Sequence, residues 1–327
     1  MLSPSSLYYR FLRILVALAG KPSSLEWCSR RLASLRMAAS GSATDLYRLH
    51  LRRVFPALNE DGLDNVLKEY WNTHERNLFS LFLLDREDPS SATERVSWKN
   101  PELLAEAGAR GRGVLLLVPH YGDERGLHVL LGMGGRRVHV ISSRYLDMPA
   151  YCRRSRLAPG LKYNEMHFPD ENPRWMYRTL QEGGIIHYGS TAYGGPGGTW
   201  TTCFGVPVLV PSAPWKLWRR TGCSVLFAWC TQVQAMGWEI GFRELETPAD
   251  PVGFAGVFTS AAEDLARNSP GQYEWKNLAI RHRETNAIVR TGRIPRSEEE
   301  LEGLAVPQDS DPERIAPEAA LRGPFSD

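Results

Sequence analysis

The sequence predicts an α/β protein in which a mixed, largely parallel sheet is flanked by helices and preceded by an N-terminal helical segment. Three observations predict it. Before about residue 90 the apolar residues recur only at helical spacing. From Gly111 onward short apolar runs of strand length appear, and the first of them, "GVLLLVP" at 113–119, is apolar throughout, as a strand buried on both faces should be. Between these runs lie stretches of helical periodicity, and strands alternating with helices build parallel sheets. The organisation read from this is a helical region over 1–90, an α/β core over 91–290 and an acidic tail over 291–327, with one globular domain overall.

In chain order, residues 6–18 form an amphipathic helix with Leu7, Phe11, Ile14, Leu15 and Leu18 on one face and Arg10 and Arg13 elsewhere. Residues 1–55 are basic, with Arg10, Arg13, Lys21, Arg30, Arg31, Arg36, Arg48, Arg52 and Arg53 against Glu26 and Asp45. A basic amphipathic helix fits a peripheral contact with an anionic membrane surface; its alternative is packing of the apolar stripe on the rest of the protein. Helical spacing continues through 23–38, 43–54 and 60–86, the last opened by "NEDG" at 59–62, with acids in its first turn. Further strands are expected at "RVHVISS" (137–143), "YNEMHF" (163–168), "GIIHYGS" (184–190), "SVLFAWCTQ" (224–232) and "WEIGFREL" (238–245), and helices near 123–133, 148–156, 173–182 and 212–221. "STAYGGPGGTW" (190–200) is a Gly-rich loop without the GK[ST] of a phosphate-binding loop. Beyond about Thr291 acids and prolines replace periodicity, which reads as a flexible tail.

Composition narrows the function classes. A formal net charge of +2 offers no basic field for nucleic acid, and no nucleic-acid partner is expected. Cys28, Cys152, Cys203, Cys223 and Cys230 form no CxxC, which favours reduced thiols over disulfides or a metal centre. The apolar stretch "FLRILVALAG" is short and broken by Arg13, so neither a membrane span nor a signal peptide is expected. The expected location is the cytoplasm, including the inner face of the cytoplasmic membrane.

The chemistry concentrates in "VPHYGDERG". His120 stands at the carboxyl end of the first strand, where open α/β sheets place ligands. A His there can take a proton from an attacking hydroxyl or amine. Gly122 permits a tight turn or a close substrate approach. Asp123 and Glu124 are both near enough to hold the ring's tautomer, as the carboxylate of a catalytic triad does. Arg125 suits an anion or oxyanion contact, or is a surface arginine. His128, His139, His167 and His187 occur singly on apolar or strand patterns and read as satisfied core or surface residues; with no HExxH or related spacing, no metal is expected.

Several segments together resemble the lipid A late acyltransferase family, the lauroyl and myristoyl transferase type. "RRVFPALNEDG" (52–62), "GRGVLLLVPHYGDERGLHVLLGMGG" (111–135), "VHVISSRYLDMP" (138–149), "LQEGGII" (180–186), "TTCFGVPV" (201–208) and "PGQYEW" (270–275) are each similar to a family segment, in family order. The resemblance implies a bacterial, glycerolipid-acyltransferase-like fold that moves an acyl group from acyl carrier protein or coenzyme A to a hydroxyl or amine on a lipid or small-molecule acceptor, without a cofactor. It also implies His120 as general base. The family's acid stands five residues after its His, where this chain has Arg125; Glu124 and Asp123 are each displaced from that position. Arg144 matches the family's arginine after the second strand, suited to a bidentate grip on a phosphate or carboxylate. Phe204 and Gly205 match a turn that helps to shape the acyl pocket, and Tyr121 and Gly122 flank the base. Where the family carries an Asp–Gln pair this chain has Ser190 and Thr191. Two changed positions on a kept scaffold leave two alternatives: a carrier-protein-dependent tailoring enzyme for amide formation, cyclisation or thioester release, and a non-catalytic acyl or carrier-protein binding module.

Overall fold

The structure is a computed structural model that describes residues 4–19, 21–141, 150–168, 171–189, 198–233 and 236–275. Four helices come first: α1 (Pro4–Ala19), α2 (Pro22–Ala39), α3 (Gly41–Val54) and the long α4 (Glu60–Arg86). Asn59 caps α4 by accepting from Gly62 N at 2.9 Å, so "NEDG" is a helix start in fact. A buried polar contact ties these helices together. The Glu75 carboxylate, fully buried on α4, accepts from the Tyr8 hydroxyl on α1 and from Arg36 on α2 at 2.9 Å. The guanidinium also lies over the Tyr8 and Trp71 rings.

The chain then runs through α5 (Pro89–Thr93), β1 (Val96–Lys99), α6 (Pro101–Ala109), β2 (Val114–Val118), α7 (Glu124–Met133), β3 (Val138–Ile141), α8 (Ala150–Tyr163), β4 (Glu165–His167), α9 (Arg174–Gln181) and β5 (Ile185–Gly189). It continues with β6 (Gly198–Cys203), β7 (Val206–Pro211), α10 (Ala213–Thr221), β8 (Ser224–Val233), β9 (Gly237–Glu244) and α11 (Pro251–Asn268). Seven strands form one sheet in the order β1-β9-β8-β2-β5-β3-β4. β8 and β9 pair antiparallel and every other neighbouring pair is parallel, so the fold is α/β with a mixed, mostly parallel sheet. β2 sits near the middle with all five residues buried, which is why its sequence shows no alternation. One apolar layer covers each sheet face: Leu115, Leu117, Ile186 and Phe227 face α10, α11 and α3, while Val114, Leu116, Val118, Val138 and Val140 face α6 and α7.

Several elements depart from expectation. β6 and β7 form a separate antiparallel hairpin whose turn, Phe204–Gly205, has positive φ at both residues (52° and 70°). Alternation is blurred there by Pro207 and Pro211. α8 runs to Tyr163 through Pro159 instead of stopping near 156. Pro159 and Gly160 fit because the helix passes tightly over its neighbours: a Cβ on Gly160 would lie 2.9 Å from Met166 Sδ and 3.1 Å from His128 Cε1. The short β1, α5 and α6 and the long α11 carried no expectation. α11 is built on small residues, with Ala255, Ala261, Ala262 and Ala266 buried beside Phe254 and Phe258, which gives a weak hydrophobic stripe.

The predicted apolar face of α1 is not its buried face. Tyr9, Leu12 and Val16 pack inward, whereas Leu7, Phe11, Ile14 and Leu18 are 46–78% exposed. The packing alternative for that stripe is therefore not what the structure shows. The acidic tail lies outside the described residues.

Candidate active site

The segment after β2 is pinned from three sides. His120 O accepts from Glu274 N at 2.9 Å, Gly122 N donates to Gln272 O at 2.8 Å, and Asp123 N donates to Cys230 O at 2.7 Å. Asn77 of α4 donates to Gly122 O at 2.7 Å. Tyr121 bridges Tyr273 and Gly122 bridges Cys230 in β-fashion. Gly122 has φ +60°, and a Cβ there would lie 2.1 Å from Cys230 O; only glycine fits.

The two acids that follow are put to different uses. Asp123, 2% exposed, caps α7: its Oδ1 accepts from Gly126 N at 2.9 Å. Its Oδ2 accepts from Ser80 Oγ at 2.6 Å on α4, Trp238 Nε1 at 3.1 Å on β9 and Gln232 Nε2 at 3.2 Å on β8. Both oxygens are thus committed to donors other than the His120 ring. Glu124 is the first residue of α7, and its carboxylate meets Nδ1 of His120 directly. About a quarter of its side chain and a fifth of that of His120 is exposed, 26% and 18%. Burial pushes the Glu124 carboxyl upward, but the charge and hydrogen bond of His120, with Arg125 and His187 behind them, outweigh this and hold it down at about 2. Glu124 is therefore an anion at any working pH. The carboxylate can only accept, so the ring carries its proton on Nδ1 and presents Nε2 on the other side.

A second histidine supports this pair. His187 on β5 donates Nε2–H to Glu124 O at 3.2 Å, and its Nδ1 is buried. Its ring packs edge-on against His128 at 5.2 Å. Burial drives both rings toward the neutral form, His128 most strongly. Both are core residues, as expected, but His187 also braces the first turn of α7. Sequence reasoning missed this role and those of Ser80, Gln232 and Trp238; none lies within 35 residues of Asp123 along the chain, so no local pattern marks them.

The other predicted site residues divide into three groups. Tyr121, expected at the substrate, is 5% exposed and packs in the core, with burial raising its hydroxyl to about 12. Phe204 is 7% exposed: its N donates to Glu263 Oε1 at 2.7 Å and its ring packs on Tyr273 and Trp275, which flank the Glu274 that bonds to His120 O. Arg125 follows Glu124 on α7 and lies close enough to lower its pKa. Arg144 and Ser190 lie outside the described residues, in the stretches that follow β3 and β5. Gly189, the last residue of β5, is close to His120: a Cβ there would lie 4.0 Å from its Cε1.

The model of the bacterial lipid A biosynthesis acyltransferase family matches residues 3–275. The chain belongs to that family. No curated protein matches it. Family membership makes acyl transfer the general activity, and the His–carboxylate pair falls inside the matched region.

Asp123→Ala strips the α7 cap and leaves the Ser80, Gln232 and Trp238 donors facing an apolar void. At about 1–3 kcal/mol per unsatisfied buried group the loss is expected to be at least about 3 kcal/mol. A shift in the urea midpoint worth less than about 1 kcal/mol would show that this carboxylate does not organise the turn.

Proposed function

We propose that the protein transfers an acyl group from a thioester, on acyl carrier protein or coenzyme A, to a hydroxyl or amine, with His120 as general base and Glu124 as its orienting carboxylate. The observation that carries this reading is the contact between His120 Nδ1 and the Glu124 carboxylate. In the reaction, Nε2 takes the proton of the acceptor O–H or N–H as that atom attacks the thioester carbonyl. The carboxylate stabilises the imidazolium that forms. Collapse of the tetrahedral intermediate breaks the C–S bond, and the departing thiolate recovers the proton from His120. The base is neutral at the start and again at the end, and no cofactor enters the balance.

The intact dyad favours acyl transfer over a binding module that has lost its catalytic pair. It also weakens the ground for the tailoring alternative, which rested on a displaced acid. Arg125, on the first turn of α7, is assigned to the anionic part of the donor or to the developing oxyanion.

The acceptor side is assigned to a membrane surface. Among the described residues no helix is long and apolar enough to cross a membrane. The outward face of α1 nevertheless presents Leu7, Phe11, Ile14 and Leu18, and Trp27 and Leu35 of α2 are 61% and 67% exposed. Between the helices lies a groove of about 500 Å³ lined by Leu15, Leu18, Ala19 and Trp27 among others. Arg10, Arg13 and Arg31 are exposed on the same two helices. Apolar side chains beside exposed arginines match an anionic bilayer interface, where rings and aliphatic chains enter the acyl boundary and arginines meet phosphates.

Two measurements test this. Intact-mass analysis of acyl carrier proteins offered with a panel of acceptors should show loss of the acyl group only with the enzyme. His120→Ala should lower the rate by about 10²–10⁴-fold, and Glu124→Gln should also cost at least about tenfold, since an amide does not offset an imidazolium. Full activity in Glu124→Gln would remove the carboxylate from the mechanism. The second measurement is cosedimentation with vesicles containing anionic phospholipid: the full chain should bind, less so at high salt, and the Leu7→Gln, Ile14→Gln, Leu18→Gln triple variant should bind at least about tenfold more weakly. Equal binding by both would exclude α1 as the contact.

A further inference from the structure

Away from the catalytic pair, at the edge of the sheet, two histidines read from sequence as isolated residues are brought face to face. β3 and β4 pair in parallel with His139 opposite Glu165 and Ile141 opposite His167. The period of two along each strand puts His139, Glu165 and His167 on one sheet face, opposite to the buried Val138 and Val140. His139 Nδ1 lies 3.1 Å from His167 Nε2 and 3.2 Å from Glu165 Oε2, and His167 Nε2 lies 3.8 Å from the same Oε2.

The proton count at this point is unusual. Glu171 Oε2 accepts from His167 Nδ1 at 2.9 Å, and Phe168 N holds the other Glu171 oxygen at 3.0 Å. With its proton on Nδ1, His167 presents a bare lone pair at Nε2. Glu165 brings a second bare acceptor, and its other oxygen is turned outward to Arg137 at 2.7 Å. A neutral His139 contributes at most one proton to this triangle, shared between the two acceptors that remain. A cation satisfies all three at once.

We propose that His139, His167 and Glu165 form a divalent-cation site of zinc type. In tetrahedral zinc with bonds of about 2.0–2.1 Å, neighbouring ligand atoms stand about 3.3–3.4 Å apart. The three separations here, 3.1, 3.2 and 3.8 Å, bracket that spacing without any rearrangement of the backbone. Two imidazoles and one carboxylate suit zinc among the common divalent ions, and calcium and magnesium prefer oxygen alone. The shell behind the ligands has the form metal sites use: Glu171 on the far nitrogen of His167 fixes tautomer and orientation, and the Trp175 indole of α9 stacks flat on the His167 ring, centroids 3.6 Å apart and planes 8° from parallel. His139, His167 and Glu165 are 20%, 15% and 38% exposed, so an ion can enter and the fourth position is left to water or a ligand.

The position suggests what the ion does. β4 is a three-residue strand at the end of the sheet, and among the described residues its one neighbour there is β3. Three bonds from one ion clip that edge to β3, at the point where the chain leaves Ile141 for the stretch that carries Arg144. This assignment does not depend on the acyl-transfer reading, and its test uses no substrate.

The test is competition for zinc between the metal-stripped full chain and a chromogenic chelator, with circular dichroism of each variant recorded without metal. The expected result is one equivalent of zinc bound below about 1 μM, with a rise in Tm on loading. His139→Gln and His167→Gln should each weaken binding by at least about tenfold. Glu171→Gln leaves all three ligands in place and should weaken it by about 10–100-fold, so the proposal stays open to refutation even if a ligand variant fails to fold. His74→Gln, elsewhere on α4, should bind as the parent does. Absence of stoichiometric zinc from the parent, or binding unchanged in both Glu171→Gln and the folded ligand variants, overturns the assignment.

Discussion

The carboxylate of Asp123 is the joint on which the active-site turn depends. One oxygen caps α7; the other gathers donors from α4, β8 and β9. A buried carboxylate is costly unless every lone pair is used, and here four donors use it. The result is a fixed entry angle for α7, and that angle decides where Glu124 points. Stability and chemistry are thus divided between adjacent acids: Asp123 is spent on holding the turn, and Glu124 is placed by it against His120.

This division explains how an acid one residue early can still meet His120. Along a helix a slip of one residue rotates a side chain by about 100°, which would carry Glu124 off the ring. The slip here falls before the helix constrains anything. Residues 120–123 are a turn, with Gly122 at positive φ, and Glu124 is the first helical residue. The turn absorbs the register difference, and the acid gains from the positive end of the α7 dipole. Arg125, at the position where the family's acid would stand, is near enough to help keep Glu124 ionised.

How much of this was legible in the sequence follows from how local each signal is. β2, α4 and the His120 turn were readable because a continuous apolar run, an Asn59 cap and a strand-end His are marks carried by consecutive residues. α11 was not, since its buried face is mostly alanine and alanine gives a weak period. The amphipathic stripe of α1 was read correctly as a stripe and left open as to its side, because periodicity names a face without saying what lies against it; Leu12 and Val16 turned out to be the residues that the core selects. The Asp123 hub and the His139–Glu165–His167 triangle could not be seen at all. The hub draws on α4, β8 and β9, far apart in the chain, and a spacing of 28 residues between two histidines has no meaning until β3 and β4 are paired.

The closing segment, "PGQYEW", shows how motifs far apart in the chain can be one physical object. Gln272 and Glu274 hydrogen-bond through their backbones to Gly122 and His120, so the last described turn is effectively a strand laid beside the His120 segment. Tyr273 packs edge-on and Trp275 at a tilt against Phe204, which ties the β6–β7 hairpin to the same ladder. Tyr70 of α4 donates to Glu274 at 2.6 Å and closes the ring back to the helical region. The "FG" turn, the "Q-Y" turn and the "H-Y-G" turn are therefore coupled by backbone pairing and aromatic contact. A change in any of them moves the Glu274 N–H that holds the His120 carbonyl, so the histidine's position is a property of the whole assembly and not of the strand that ends at Val118.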